Sequence, residues 1–467
     1  MPKTLQRACG AGMVLALAGH RNRWNSEIRK VVSSPLRTRM LRGISWSLGG
    51  AVISRILGLV ASIVLARTLG QSAFGQVGMI QGTVGAFGAL GGVGLSQTAA
   101  RFVAEFQQTD PPRAARIILL SEATALLCGS VMMVGLMLCS PWLADKTLAA
   151  PALAGPLRVA AVLVLVTSLM ASQTGCLLGC EAFRALARIS VISSALTIPF
   201  VVIAAYFGGV LGAVWGLVLS SVITWVLNLQ AVRKELLARN MYLFPKGWIS
   251  EWPVLLRFSL PSVLGGAVVG PAAWWCTTML VNQPDGYAAM GIFNVANQWR
   301  VAILFVPSVV ASTLLPILTS IYVKDTASRF RTVAKSAVAL NAVCAAAVVL
   351  PVSAASKWIL GWYGPGFTGG VWVLAIACTG AGINAVGQAL ARAVASMDRM
   401  WLALLFELTW AAVALFAGML LIPRYRAEGL ASAFLIASVA QLACQLLLLS
   451  RTSSAARSGV AIAPQLP

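Results

Sequence analysis

The feature that most constrains the fold of this chain is a succession of long apolar runs separated by short polar segments. The first run, residues 44–66, is long enough to cross a bilayer as a helix, which takes roughly 20 apolar residues. Arg55 lies near its middle, where an arginine costs about 2.5–3.5 kcal/mol on insertion scales. We therefore expect Arg55 to face a protected or watery interior. The run ends in a turn-forming segment, and a second apolar run follows at once.

The start of the chain recurs later in the sequence. Residues 48–52 read LGGAV, and residues 264–268 repeat these letters at an offset of 216. The same offset aligns three further pairs, which are Gly70 with Gly286, Gly75 with Gly291, and Gln81 with Asn297. A chance match is the alternative in a chain rich in Gly, Ala, Leu and Val. The further in-register pairs favour an internal duplication.

The composition identifies the class of protein. The chain is 59% hydrophobic and 10% charged, which is typical of an all-α polytopic membrane protein. Lys and Arg outnumber Asp and Glu by 35 to 13. The basic residues lie between the apolar runs, so the positive-inside rule explains this excess better than nucleic-acid binding does. With His20 as the only histidine, we predict neither a His-based catalytic or metal site nor a cofactor.

The apolar runs predict about twelve spans, arranged as two six-helix lobes related by pseudo-two-fold symmetry. The predicted spans are 44–66, 73–99, 117–139, 156–178, 189–207, 209–228, 257–281, 287–321, 336–355, 368–390, 401–422 and 429–450. The predicted units are a basic tail (1–43), an N-lobe (44–228), a cytoplasmic linker (229–256), a C-lobe (257–450) and a second tail (451–467). We expect the first tail to be poorly ordered. Translation from Met40 is an alternative.

The distribution of basic residues predicts the orientation. With the N-terminus inside, the cytoplasmic segments hold 27 Lys and Arg and the outer loops hold six. This bias predicts that both termini are cytoplasmic. No predicted outer loop exceeds about twenty residues, which argues against an enzyme that polymerises or transfers sugars outside the membrane.

Polar groups within the spans are the candidate site residues. Arg55 and Arg300 lie near mid-depth, one in each half, and guanidinium groups suit phosphate. We interpret them as part of a cationic cavity for an anionic substrate. The alternative is that each arginine is structural, bonded to carbonyl groups or to a carboxylate between helices.

Amide side chains extend this polar set. Asn294, Asn297 and Gln298 share an arc of about 160° with Arg300, and an arc that wide is not expected to face lipid. Gln81 in the second span is the sixth candidate. For each amide taken alone, a helix–helix hydrogen bond is the more common role.

Two carboxylates, Glu122 and Glu407, come closest to the membrane interior. Each lies about six residues inside its predicted span. Proton or cation coupling is one interpretation, and snorkelling to the interface is the other.

Several motifs resemble a known family. The first half contains VLARTLG at 64–70, FG at 74–75, GGVGL at 91–95 and ARF at 100–102; the second contains FSLP at 258–261, Pro307, LP at 315–316 and EGLA at 428–431. This pattern resembles the polysaccharide-transport branch of the multidrug/oligosaccharidyl-lipid/polysaccharide exporter superfamily, the O-antigen and exopolysaccharide repeat-unit flippases. Residues 54–58, SRILG, also resemble the first helix of the lipid II flippases, which usually have fourteen spans.

The resemblance implies a MATE-like fold in a bacterial inner membrane and alternating access. It implies that the protein, which is not an enzyme, moves undecaprenyl-diphosphate-linked oligosaccharide for exopolysaccharide or lipopolysaccharide synthesis. Its implied partners are that lipid-linked oligosaccharide, membrane lipid, and possible polymerase and chain-length machinery. A drug/cation antiporter and a membrane glycosyltransferase or polymerase stay open as alternatives. The sugar composition, the coupling ion and the oligomeric state do not follow from the sequence.

Overall fold

The computed structural model describes residues 35–239, 247–324, 327–395 and 400–455, and no strand occurs in these ranges. The α-helices of the described part are α1 (Pro35–Phe106), α2 (Pro111–Trp142), α3 (Ala154–Gly179), α4 (Phe183–Ala238), α5 (Trp252–Val281), α6 (Gly286–Lys324), α7 (Ala327–Ala354), α8 (Ser356–Tyr363), α9 (Val371–Ala395) and α10 (Met400–Ala455). Short helical turns over 143–147, 151–153, 248–251 and 365–370 join some of them. The all-α prediction is confirmed.

Three long helices each contain one residue with a non-helical backbone. These residues are Gly70 in α1, Gly209 in α4 and Arg426 in α10, with φ angles of 77°, 56° and 48°. In the described part of the chain, eight stretches are long and apolar enough to cross a membrane. Three of these stretches contain a kink and are long enough for two spans each, which makes eleven, and the 30 residues of α5 are enough for a twelfth.

The last hairpin of each half shows the duplication most clearly. Helices α4 and α10 both contain 56 residues, and their starts, ends and kinks all differ by 217 positions. In both hairpins a glycine just after the kink allows close packing. A Cβ at Gly212 would lie 1.9 Å from the Ala204 carbonyl oxygen, and one at Gly429 would lie 2.2 Å from that of Leu421. The two halves therefore repeat the same hairpin geometry.

The halves meet where the second segment of α1 crosses α6. A Cβ at Gly75 would lie 1.9 Å from the Tyr287 carbonyl oxygen, and one at Gly291 would lie 2.3 Å from that of Gln71. Gly75 and Gly291 are partners in the sequence repeat, so the same position forms both sides of this contact. Only glycine permits the two backbones to approach so closely.

The four predicted unit boundaries lie inside α1, α4, α5 and α10, so these helices continue across them. Helix α1 begins at Pro35, so residues 35–43 of the predicted basic tail are helical, whereas residues 1–34 and 456–467 lie outside the described residues. In the predicted linker, Glu251 just before α5 is bonded to Arg113 and Arg116 of α2, at 3.1 and 3.4 Å. The linker is thus anchored to the N-terminal half before the C-terminal half begins.

Candidate substrate cavity

A polar cavity lies inside the C-terminal half, among α5, α6, α9 and both segments of α10. Its volume is about 330 Å³. Its polar lining consists of Asn297, Arg300, Asn384, Gln388, Glu407, Ser438, Gln441 and Gln445. Polar groups at membrane depth are costly unless they face one another or an aqueous space, so their convergence marks a candidate functional site.

Arg300 is the cation of this cavity. Its Nε donates to the Oδ1 of Asn297, one turn earlier on α6, at 3.0 Å. This bond uses one of the five guanidinium N–H groups and holds the side chain against its own helix. Four further N–H groups could donate to a ligand with several oxygen acceptors, such as a phosphate.

Glu407 on α10 lies in the same cavity as Arg300. The side chain of Gln441 lies beside this carboxyl group, and its Nε2 donates to the Phe406 carbonyl at 3.3 Å. Arg300 and Glu407 are the two charged residues among those that line the cavity. An anionic ligand at Arg300 would lie in the electric field of Glu407 as well.

Amides and aromatic rings complete the wall. Gln388 donates through Nε2 to the Oδ1 of Asn384 at 3.0 Å. Gln445 is buried, and its Oε1 has no hydrogen-bond partner within the described ranges of the chain. The Phe434 ring contacts Trp410 and Phe293, with centroid distances of 5.2 and 5.7 Å. Amide donors and acceptors beside aromatic faces suit a ligand that carries hydroxyl groups on an apolar ring frame.

The structure brings only part of the predicted site together. Asn297, Arg300 and Glu407 line the cavity, and Gln298 lies beside it, half-buried, without lining it. Asn294 points away and is buried against the second segment of α1. There a Cβ at Gly78 would come within 2.7 Å of its amide.

The predicted residues of the N-terminal half lie elsewhere. Arg55 and Gln81 are exposed on the two segments of α1, and neither lines the cavity. Glu122 is largely enclosed between α2 and α3 next to Ser172, and its Oε1 has no hydrogen-bond partner among the described residues. The two predicted arginines therefore do not share one cavity in this structure.

Sequence reasoning missed the amides of the last helix as site residues. Gln441 and Gln445 are four residues apart, as are Asn384 and Gln388 on α9. This spacing places both amides of a pair on one helix face. Paired amides at this spacing within an apolar span were the available signal, because a single amide is equally well explained by helix packing.

The halves are bonded to each other at the end of the bundle that holds the kinks, which we call the tied end. Tyr287 donates through its hydroxyl to the Leu148 carbonyl at 2.7 Å, and the Asn282 amide donates to the Thr147 carbonyl at 2.7 Å. Further bonds across the halves are Gln71 Nε2 to the Ala288 carbonyl, Arg67 Nε to the Trp362 carbonyl, and Ser62 Oγ with the Tyr363 hydroxyl. Charge distribution predicts that this end is external.

The family of the chain follows from comparison with known proteins. A family model described as "Polysaccharide biosynthesis protein" matches residues 40–322, well over half of the chain. The chain belongs to this family. The resemblance that the motifs predicted is thereby confirmed.

Two curated relatives share one name with each other. The chain is 26% identical over 289 residues to the EPS I polysaccharide export inner membrane protein EpsE of Ralstonia solanacearum, and 26% identical over 281 residues to that of Ralstonia nicotianae. The matches cover 61% and 58% of this chain. They span 64% and 61% of the relatives' own lengths, slightly less than two thirds.

Solved structures with the same fold are membrane transporters. An inward-facing multidrug resistance MATE family transporter of the MOP superfamily has a TM-score of 0.71 at 16% identity, over 87% of this chain and 96% of that one. The lipid II flippase MurJ in an inward closed conformation has a TM-score of 0.67 at 14% identity, over 87% of both chains. At such identities the likeness establishes the fold, and the predicted MATE-like architecture is confirmed.

Proposed function

We propose that this protein is a multi-pass inner-membrane flippase that moves an undecaprenyl-diphosphate-linked oligosaccharide from the cytoplasmic to the outer leaflet. A diphosphate and sugar hydroxyl groups cannot cross hydrocarbon unaided, because burying them without partners costs several kcal/mol for each group. The cavity supplies such partners. Arg300 among amides and aromatic rings is the observation that carries the proposal.

The family and its named relatives support the same role. The relatives are named as polysaccharide export proteins of an inner membrane, and a structural neighbour is named as a lipid II flippase. We infer a transporter and not an enzyme, with both termini in the cytoplasm. A polysaccharide polymerase and chain-length machinery are proposed downstream partners.

The chemistry of the cavity ranks the alternatives. A drug/cation antiporter would use Glu407 to hold a cation, and Glu407 does line the cavity. Arg300 in that cavity repels a cation and attracts a phosphate, so the anionic substrate is preferred. Glu407 then becomes a candidate for ion coupling, and Glu122 remains a second candidate outside the cavity.

The export experiment replaces Arg300. Arg300→Ala should lower surface glycan per inserted molecule roughly 10- to 100-fold, since a hydrogen bond to a charged group contributes about 1.5–3 kcal/mol. Arg300→Lys should retain part of the export, because lysine keeps the charge but not the two-pronged geometry. The exposed Arg158→Ala is the matched control and should export normally. Normal export per molecule from Arg300→Ala would reject the proposal.

A second arm of this experiment addresses alternating access. If the tied end opens during transport, the bond between Asn282 and the Thr147 carbonyl must break in each cycle. In a background without the nine native cysteines, a short thiol cross-linker between Thr147→Cys and Asn282→Cys should stop export. The singly substituted proteins should be unaffected by the reagent. Full export from the cross-linked protein would exclude opening at this end.

A further inference from the structure

A second cavity lies far from the substrate cavity, on the surface of the N-terminal half. It is a groove of about 470 Å³ between the first segments of α1 and α4. Its lining is Gly49, Gly50, Ile53, Ala187, Arg188, Val191 and Ile192. Six of these seven residues are apolar, so Arg188 is the one cation in the lining of an otherwise apolar groove.

The two helices run in the same direction along the groove. A Cβ at Gly50 would lie 2.7 Å from that of Ala187, and four residues later Ser54 Oγ donates to the Ser190 carbonyl at 2.9 Å. Both segments are predicted to start at the cytoplasmic surface. Gly49 and Arg188 therefore lie at the cytoplasmic end of the groove, and Ile53 and Ile192 lie one turn deeper.

The groove opens onto the apolar outside of α1. Val52, Ile53, Ile56 and Val60 are exposed on the adjoining face, as expected for a helix side that contacts lipid. At Gly49 a Cβ would meet no atom within 4 Å, so the missing side chain leaves the groove open. A lipid chain has direct access to this space from the bilayer.

We propose that this groove binds an anionic glycerophospholipid of the cytoplasmic leaflet. One acyl chain lies between α1 and α4, and the lipid phosphate pairs with the Arg188 guanidinium. Arg188 is exposed, and it has no ion-pair partner among the residues that the structure describes. The site matches such a lipid in depth and in charge. Arg188 lies at the cytoplasmic interface, where a phospholipid places its phosphate, and the apolar groove lies deeper, where its acyl chain lies.

The single cation distinguishes this ligand from the proposed transport substrate. One arginine balances the single negative charge of a phosphodiester, whereas a diphosphate would leave charge unpaired. The site is also separate from Arg300 and its cavity. The proposal therefore stands or falls independently of the flippase function.

Lipid retention by the purified full-length protein tests the proposal. In neutral detergent, native mass spectrometry should show preferential retention of phosphatidylglycerol over phosphatidylcholine with the same chains. Gly49→Leu should abolish the retained species by filling the groove. Arg188→Gln should lower phosphatidylglycerol affinity roughly fivefold, as expected for one basic group at an anionic surface, and remove the preference.

Matched controls separate the groove from general effects. Gly58→Leu adds the same side chain on the opposite face of α1, where a Cβ also meets no atom within 4 Å. Lys234→Gln removes an exposed cation at the end of α4. Both should retain phosphatidylglycerol as the unmodified protein does, and all variants should have matching thermal transitions. Equal retention by Gly49→Leu and Gly58→Leu, or stronger retention of undecaprenyl phosphate than of phosphatidylglycerol, would overturn the proposal.

Discussion

The two halves of the molecule share a scaffold but fill its interior differently. In the C-terminal half, Arg300, Asn384 and Gln388 project into an open cavity. The positions 216 residues earlier hold Val84, Ser168 and Ser172, all buried. The Ser168 hydroxyl donates to the Val164 carbonyl of its own helix at 2.8 Å. A short hydroxyl side chain such as that of Ser168 can thus be satisfied by its own helix, whereas long amide and guanidinium side chains reach into the cavity.

The same contrast holds for the last hairpin of each half. Gln441, which lines the cavity, corresponds at an offset of 217 to Thr224, whose hydroxyl donates to the Ser220 carbonyl of its own helix at 2.8 Å. Glu407 corresponds to Ser190, whose carbonyl accepts from Ser54. The duplication thus supplied two equivalent frames. The polar side chains of the proposed substrate cavity all belong to the C-terminal one.

The carboxylates should show the largest functional difference between the halves. Glu407→Gln should abolish ion-driven glycan export, because this carboxyl lies in the cavity with Arg300. Glu122→Gln should keep export, since Glu122 does not line the cavity. The measurement is export per inserted molecule with and without an imposed ion gradient. Equal losses in both variants would show that Glu122 of the N-terminal half also takes part in ion coupling. Undiminished ion-driven export from Glu407→Gln would show that the cavity carboxyl group does not couple transport to an ion.

The kinks should show a smaller difference, in stability alone. Gly209 and Arg426 hold equivalent positions with φ of 56° and 48°, a region that only glycine adopts without strain. Strain of this kind costs about 1–3 kcal/mol. Arg426 gains little in return from Asp285, 3.7 Å away, because exposed ion pairs contribute at most about 1 kcal/mol.

Adding a glycine at one kink and removing the glycine at the other should change the thermal stability in opposite directions. Arg426→Gly should raise the thermal transition of the purified protein, and Gly209→Ala should lower it, each by an amount equivalent to roughly 1–3 kcal/mol. Tyr425→Ala, next to the kink and exposed, is a control that should change it little. A lower transition for Arg426→Gly would show that the arginine contacts outweigh backbone strain.

The sequence predicted the frame of the molecule better than its site. Spans were predictable because apolar length and turn residues are local properties, and even the turn near Gly209 was placed correctly. The partner of each polar side chain depends on helix rotation and on which helices are neighbours. Arg55 and Arg300 have similar depth in the sequence, yet only Arg300 reaches the cavity. The motif resemblance identified the family because short motifs can be recognised in the sequence without knowing how the helices are rotated or which helices are neighbours.

Transport by the purified protein tests the central claim most directly. In proteoliposomes, the initial rate of translocation of a fluorescent prenyl-diphosphate oligosaccharide would be measured for Arg300→Ala and Arg55→Ala at equal incorporated protein. If the cavity of the C-terminal half binds the diphosphate, Arg300→Ala should lose roughly 10- to 100-fold in rate, and Arg55→Ala should lose distinctly less. An unchanged rate for Arg300→Ala, or equal losses in the two variants, would contradict the account.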